Sequence, residues 1–194
     1  MTPLLFSNFN KHAHITEEQF KVIEKVMDKK LVKKKKDLLA AGEVSRYIYF
    51  VEKGCLRSYI VDKDGIEQVM QLVTEEHWIG DLYSFVTQMH GTITIEAIED
   101  TEVLMLSYTD LEILYDEIPA LERFFRKLIQ RAYVAVQQRL NSAYSASAEE
   151  RYRELIRLRP EIAKRVPLIY IASYLGITPE SLSRIRKSMF SKAE

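Results

Sequence analysis

A single cysteine, Cys55, occurs in the 194 residues. An intrachain disulfide is therefore impossible, and a four-thiolate iron–sulfur cluster held by one chain is excluded. No apolar run approaches the ~20 residues that a membrane span requires. The opening residues, "MTPLLFSNFNKHAH", lack the basic start and apolar core of a secretory signal. The expected location is the cytoplasm, with no membrane partner. Catalytic signatures are missing as well, since there is no Ser-His-Asp, Cys-His or phosphate-loop pattern. Only four histidines are present. His12 and His14 have the pair spacing of a jelly-roll metal enzyme, but they precede the strands that would carry such a site. His77 and His90 are scattered, a pattern that is more often structural than metal- or haem-binding. No enzymatic activity is expected.

Net charge is also absent, at a formal value of zero, which argues at first against a polyanionic partner. The average hides an asymmetry. From Ala143 to Glu194 ten Lys and Arg face six Asp and Glu, whereas the first 142 residues hold 18 against 22. Between Thr178 and Lys192 there are four basic residues and one acid. A basic terminal segment is the footprint of a phosphate-binding module, although solvated helix faces are often basic too. The chain is long enough for one large domain or two small ones.

Thr16-Glu17-Glu18-Gln19 reads as a capping box opening a short helix with Phe20, Ile23 and Met27 on one face. From about Leu31 to Ser107 the period becomes two. The runs "RYIYFVEKG", "CLRSYIVDKDG", "IEQVMQLVTEE", "TITIEAIED" and "TEVLMLS" are short and mostly closed by Gly or acidic turns. They predict a barrel, sandwich or jelly roll. The lysines from Lys29 to Lys36 read as a helix end and a solvated edge strand rather than as a DNA patch. After Ser107 a brief helix stops at Pro119, and a long one runs from Pro119 to about Ser142. Leu121, Phe125, Leu128, Ala132 and Ala135 follow coiled-coil spacing on that helix, while Ile129, Tyr133, Val136 and Leu140 form a second stripe. One face must meet the chain's own domain and the other is left for a partner, which a homodimer supplies most simply. "NSAYSASAEERY" reads as a hinge.

The final helices carry the sharpest pattern. Leu168, Ile171, Ala172 and Leu175 recur at helical spacing after Pro167, which suits a first turn. Gly176 stands where a left-handed C-terminal residue is needed, and Thr178 with Pro179 opens a second helix. Leu182, Ile185 and Met189 face inward there, while Glu180, Arg184 and Lys187 share the other face. Two helices joined by three residues, with small Ala172 at the crossing and Ile177 at the corner, predict a helix-turn-helix. Glu180 can accept from cytosine N4 and Arg184 can pair bidentately with guanine, so these two are the candidate base contacts. Ser181, Arg186 and Lys187 are the candidate phosphate contacts. An acid in the first turn, as Glu180 is, also stabilises the helix dipole without touching DNA.

In order and in the stretches "YIYFVEKGCLRSYIVDKDG", "WIGDL", "TEVLMLS" and "GITPESLSRIRK", the chain resembles the CRP/FNR family of bacterial transcription regulators. The resemblance implies an α+β chain: a jelly-roll or β-roll sensor of the cyclic-nucleotide-binding type over 1–118, a dimerisation helix over 119–142 and a helix-turn-helix domain over 143–194. It implies a double-stranded operator as partner, a homodimer, and a small effector that reorients the DNA-binding domains. RNA polymerase is a further partner of such regulators, and no motif here marks a surface for it. In the family's recognition helix a Glu and an Arg four residues later read a G·C pair, at the positions of Glu180 and Arg184. The Arg that often precedes the Glu is Pro179 here, and the segment before the helix pair is short for a winged hairpin. Members that bind cyclic AMP carry Phe-Gly-Glu followed by Arg-Ser. Gly80 and Asp81 match the Gly-Glu loosely, while Gly91 and Thr92 stand where Arg and Ser would be. Gly80, Asp81 and Thr92 are the candidate effector residues. Without the Arg there is no fixed charge for a cyclic phosphate, so the cofactor is left unknown, with cyclic AMP, an iron–sulfur cluster and haem disfavoured. A β-roll serving only as a ligand-binding or docking module is the competing reading.

Overall fold

The computed structural model describes residues 2–191. Two short helices, α1 (Pro3–Asn10) and α2 (Glu17–Lys25), precede a roll of eight strands. These are β1 (Asp28–Val32), β2 (Asp37–Leu39), β3 (Tyr47–Lys53), β4 (Leu56–Val61), β5 (Glu67–Val73), β6 (Trp78–Ile79), β7 (Thr94–Ala97) and β8 (Thr101–Ser107), with α3 (Leu82–Thr87) between β6 and β7. They form two four-stranded antiparallel sheets, in the orders β1-β8-β3-β6 and β2-β7-β4-β5. The edge strand β1 carries Lys29, which pairs with Glu52 and Glu102, and just past its end Lys33 pairs with Asp100. Charge on such an edge discourages pairing with another chain.

Alternation along the strands sorts side chains into three layers. Between the sheets lie Val51, Leu56, Ile95, Ala97 and Val103. On the outer face of the first sheet Phe50, Leu104 and Leu106 meet α1, α2 and the two helices that follow the roll, α4 (Tyr108–Glu117) and α5 (Pro119–Ser145). Aromatic rings dominate this layer: Phe9 meets Phe124 edge-on at 4.7 Å, and Trp78 meets Phe125 at 5.2 Å. Helix α1 was not expected from the sequence, yet it delivers Leu5 and Phe9 to this layer.

Helix α5 divides its two stripes along its length as well as around it. Leu121 and Phe125, expected in a dimer seam, are buried at 0% and 4% exposure in the chain's own core, and Leu128 packs against it. The first turns of α5 must cover the aromatic layer, so those residues are not available to a partner. Ala132 and Ala135 are exposed, as are Ile129, Tyr133, Val136 and Leu140. The helix runs to Ser145, three residues past the expected end, and only Ala146 and Ser147 separate it from α6 (Ala148–Leu158). Ser147 opens α6 with a reciprocal capping box to Glu150.

The third layer lies on the outer face of the second sheet and is shared with the terminal helices. Cys55, Tyr59, Val69, Leu72 and Ile98 from the roll form one cluster with Tyr152 and Leu155 of α6, Ile162 of α7 (Pro160–Arg165) and Ile171 and Ala172 of α8 (Leu168–Leu175). Leu182 of α9 (Pro179–Ser191) completes it. Polar contacts reinforce the joint. Ser173 Oγ accepts from the Val69 amide and donates to the Glu67 carbonyl, both at 2.9 Å, so α8 satisfies the edge of β5. The Arg57 guanidinium, 2% exposed, lies 4.1 Å from the Tyr59 ring and 3.9 Å from the Tyr170 ring while pairing with Glu67 and Glu96. Arg165 grips Glu75 bidentately at 2.7 and 2.9 Å and also bonds Glu99. Among the described residues no helix is long and apolar enough to cross a membrane.

Gly54 makes the β3–β4 turn at φ +110°, and a Cβ there would lie 2.4 Å from Thr101 Oγ1 and 2.7 Å from Thr101 Cα. Gly54→Ala is expected to cost at least ~2 kcal/mol in urea unfolding, because strain and backbone collision act together. A second expectation concerns Glu75. Burial raises its carboxyl, but hydrogen bonds from Arg165 and the Gly54 amide outweigh that and hold it at about 2, against an ordinary 4.5. A carboxyl depressed in the folded state contributes stability that is full above its unfolded pKa and lost as pH falls. The stability advantage of the native chain over Glu75→Gln should therefore shrink as pH drops from about 4.5 toward 2, read by unfolding at stepped pH.

Candidate nucleic-acid interface and effector cassette

The helix pair forms as its sequence requires, with one shift. Pro167 is the extended N-cap of α8 (φ −54°, ψ 140°) rather than a residue of its first turn. Gly176 ends α8 in the left-handed conformation at φ 67°, where a side chain would be strained. The Ile177 amide then closes on the Ala172 carbonyl at 3.0 Å, and its side chain packs against the shared core. Thr178 Oγ1 accepts from the Ser181 amide at 3.2 Å and so caps α9. Leu182 is fully buried against this core, which fixes the crossing of α9 over α8.

Glu180, Arg184 and Lys187 come together on the exposed face of α9. The Glu180 carboxyl is held below its usual range, first by its own backbone amide, then by the Thr178 hydroxyl and the Arg184 charge, so it is an anion that can only accept hydrogen bonds. Arg184 reaches Ser181 Oγ at 3.3 Å, a long bond that a base could displace. The other two candidate contacts lie elsewhere. Ser181 is half-buried and spends its amide on the cap, and Arg186 is half-buried with its Nε enclosed and without a hydrogen-bond partner. Arg186 follows Leu182 by one turn, so it shares the edge of the inward face. In α6 to α8 no strand is formed, and two helices stand before the pair.

The positive charge of this domain is largely engaged. Arg153, Arg157 and Lys164 pair with Glu149, Glu154 and Glu161 of their own helices. Arg151 donates to the Ala146 and Leu175 carbonyls, tying the hinge to the end of α8. Arg159 donates to the Leu72 carbonyl of β5. Arg57, Arg159, Arg165 and Tyr170, which join the terminal helices to the roll, were not singled out from the sequence. The one local signal was a lone arginine inside the strand run "CLRSYIV".

The effector cassette fits a cyclic phosphate poorly. Asp81, 2% exposed, is the N-cap of α3, its carboxylate accepting from the Ser84 amide at 3.1 Å. At Gly91 a Cβ would meet Asp81 Oδ2 at 2.2 Å and the Ser84 Cβ at 3.0 Å. An arginine therefore cannot stand there without displacing Asp81, and the carboxylate beside it would repel a phosphate. Gly80 is seated on Ile48 and Thr92 is exposed, so the three candidate residues do not present a charged ligand set. Burial pushes the Cys55 thiol up to about 12, which keeps it protonated and unreactive. An open groove of about 540 Å³ lies instead between α5 and the loop after α1, lined by His12, Lys127, Gln130, Arg131, Val134 and Ala135. It runs along the exposed side of α5.

Residues 29–117 match the family model of the cyclic nucleotide-binding domain. The chain is 26% identical over 194 residues to the fumarate and nitrate reduction regulatory protein of Vibrio cholerae, covering 93% of this chain and 76% of the relative. Its fold is similar to that of FixK2 from Bradyrhizobium japonicum, with a TM-score of 0.73 at 20% identity over 87% of this chain and 86% of that one. It is also similar to a Eubacterium rectale regulator assigned to the CRP/FNR family, with a TM-score of 0.68 at 18% identity over 92% and 85%. The likeness runs through the roll, the long helix and the terminal helix pair alike, and together these matches support a transcription regulator of the CRP/FNR type.

Proposed function

We propose that this regulator is a cytoplasmic homodimer that reads a near-palindromic double-stranded operator through α9. The observation that carries the reading is the exposed face of that helix, where Glu180, Arg184 and Lys187 stand clear of the core that holds Leu182. Glu180 and Arg184 are the base-reading pair and Lys187 the phosphate contact. Ser181 acts through the cap, and Arg186 joins the phosphate contacts only with a change of rotamer. The division of labour is a sensor over 1–118, a dimer helix over 119–142 and a DNA-binding domain over 143–194. The apolar residues of α5 left exposed, Ile129, Tyr133, Val136 and Leu140, supply the dimer seam together with Ala132 and Ala135. Two copies of α9 then enter successive major grooves roughly 34 Å apart. The effector is a small molecule other than cyclic AMP, and RNA polymerase is a further partner.

Selection of DNA fragments by the purified chain should enrich a palindromic site. Arg184→Ala should lose it, with affinity for that site falling about 10- to 100-fold, the equivalent of one bidentate arginine–guanine contact. Enrichment that survives the substitution would refute the assignment. Val136→Asp with Leu140→Asp should convert the dimer to monomer in sedimentation at micromolar concentration, since two charges would be buried without partners. A native chain that sediments as a monomer would remove the seam.

A further inference from the structure

The base-reading face of α9 is open in this structure, so docking on the roll does not hide it. What docking does consume is positive charge. Arg165 is the last residue of α7 and stands two residues ahead of Pro167, the N-cap of α8. In a helix-turn-helix the first helix crosses the phosphate backbone, and α8 is that helix here. A guanidinium fork at its entrance is suited to a phosphate, which it would hold bidentately. In this chain the fork is filled by carboxylates: Arg165 Nη1 and Nη2 reach the two oxygens of Glu75 at 2.7 and 2.9 Å, and Nη2 also bonds Glu99. Both acids belong to the roll, one after β5 and the other between β7 and β8.

We infer that Glu75 and Glu99 occupy Arg165 in place of a DNA phosphate, so that the docked domain is a lower-affinity state and Arg165 becomes a backbone contact when the joint opens. This rests on the DNA-reading function proposed above. The Nη1/Nη2 fork cannot be bidentate to a carboxylate and a phosphate at once, so docking through this fork and DNA binding through it exclude each other. By linkage, whatever loosens the joint tightens DNA, and DNA loosens the joint to the same degree. The remaining attachments of the joint are of another kind. Arg57 stacks on Tyr170, Ser173 bonds the edge of β5, and Arg159 donates to the Leu72 carbonyl. None of these places a carboxylate on a side chain of the terminal helices. Among the described residues, only the Arg165 contact does so with the charge and fork geometry of a phosphate site.

The test uses the full chain and a random-sequence 30-base-pair duplex, with affinity read by fluorescence anisotropy over a salt series. Glu75→Gln with Glu99→Gln keeps the shapes and removes the two charges, and the carboxamide placed at position 75 retains an oxygen for the Gly54 amide. This variant should bind about five-fold tighter or more. Its plot of log affinity against log salt should steepen by ~0.9, the value of one added phosphate contact. Adding Arg165→Gln should return the slope to that of the native chain. Glu99→Gln alone, which leaves the Glu75 turn untouched, should give a smaller change of the same sign. An unchanged slope in the double variant would overturn the inference. A gain that survives Arg165→Gln would also overturn it, since it would report only the loss of two negative charges. Absence of duplex binding by every protein, at a melting temperature equal to the native one, would instead refute the DNA-reading function itself.

Discussion

A charged group taken out of water must find partners, and Arg57 is the charge around which the two halves of this molecule meet. Strand β4 alternates Leu56 and Ser58 against Arg57 and Tyr59, with Cys55 just before it on the same side as Tyr59, so the guanidinium is sent to the outer face of the second sheet. There Glu67 and Glu96 of the neighbouring strands β5 and β7 neutralise it. Its two flat faces remain, and Tyr59 and Tyr170 close on them. Tyr170 comes from the helix pair more than a hundred positions away, so the roll is fully covered only when the terminal domain is in place. Stacking of this kind is worth about 0.5–2 kcal/mol per ring, more as water is excluded. The apolar cluster around Val69, Leu72, Ile171 and Ala172 supplies the larger area, while the arginine supplies the register.

Seen from the roll, the molecule is a sandwich whose two outer faces are both occupied. The aromatic layer on the first sheet takes the opening turns of α5, and the cluster on the second sheet takes α6 to α9. Helix α5 therefore leaves one sheet and delivers the chain to the other, with only Ala146 and Ser147 free to bend between it and α6. In its middle Arg139 reaches the Met70 carbonyl and the Tyr174 ring, while Ile129, Tyr133, Val136 and Leu140 stay exposed and form an apolar surface. The exposed stretch of α5 and the joint on the second sheet are linked in the chain through the end of α5 and the two residues before α6.

The cassette shows how a single position redirects a site. Gly91 is tightly enclosed by Asp81 and Ser84, and Asp81 has been drawn into capping α3. A helix cap and a phosphate-binding arginine would compete for the same space, and the cap is what this chain has. The backbone course is that of a nucleotide-binding roll, while the electrostatics at this point are those of a closed structural turn.

Much of this was legible in the residues. Period-two runs closed by Gly54 and by the Asp62–Gly65 turn, a capping box at Thr16, and Gly176 between two apolar helical patterns are local signals, because turns, caps and left-handed residues depend on a few neighbours. They specified the roll, the long helix, the helix-turn-helix and the face bearing Glu180, Arg184 and Lys187. Helix α1 is too short for its period to stand out, and the burial of Leu121 and Phe125 depended on which sheet α5 would cross. Arg57, Arg165, Glu75 and Glu99 have no pattern along the chain at all. Their meaning lies in pairings between residues more than a hundred positions apart for Arg57 and Tyr170 and ninety for Arg165 and Glu75, and such pairings exist only once both sheets have closed and the terminal helices have found the second one. Local stereochemistry decided the elements, and the burial of charge between distant elements decided how they are joined.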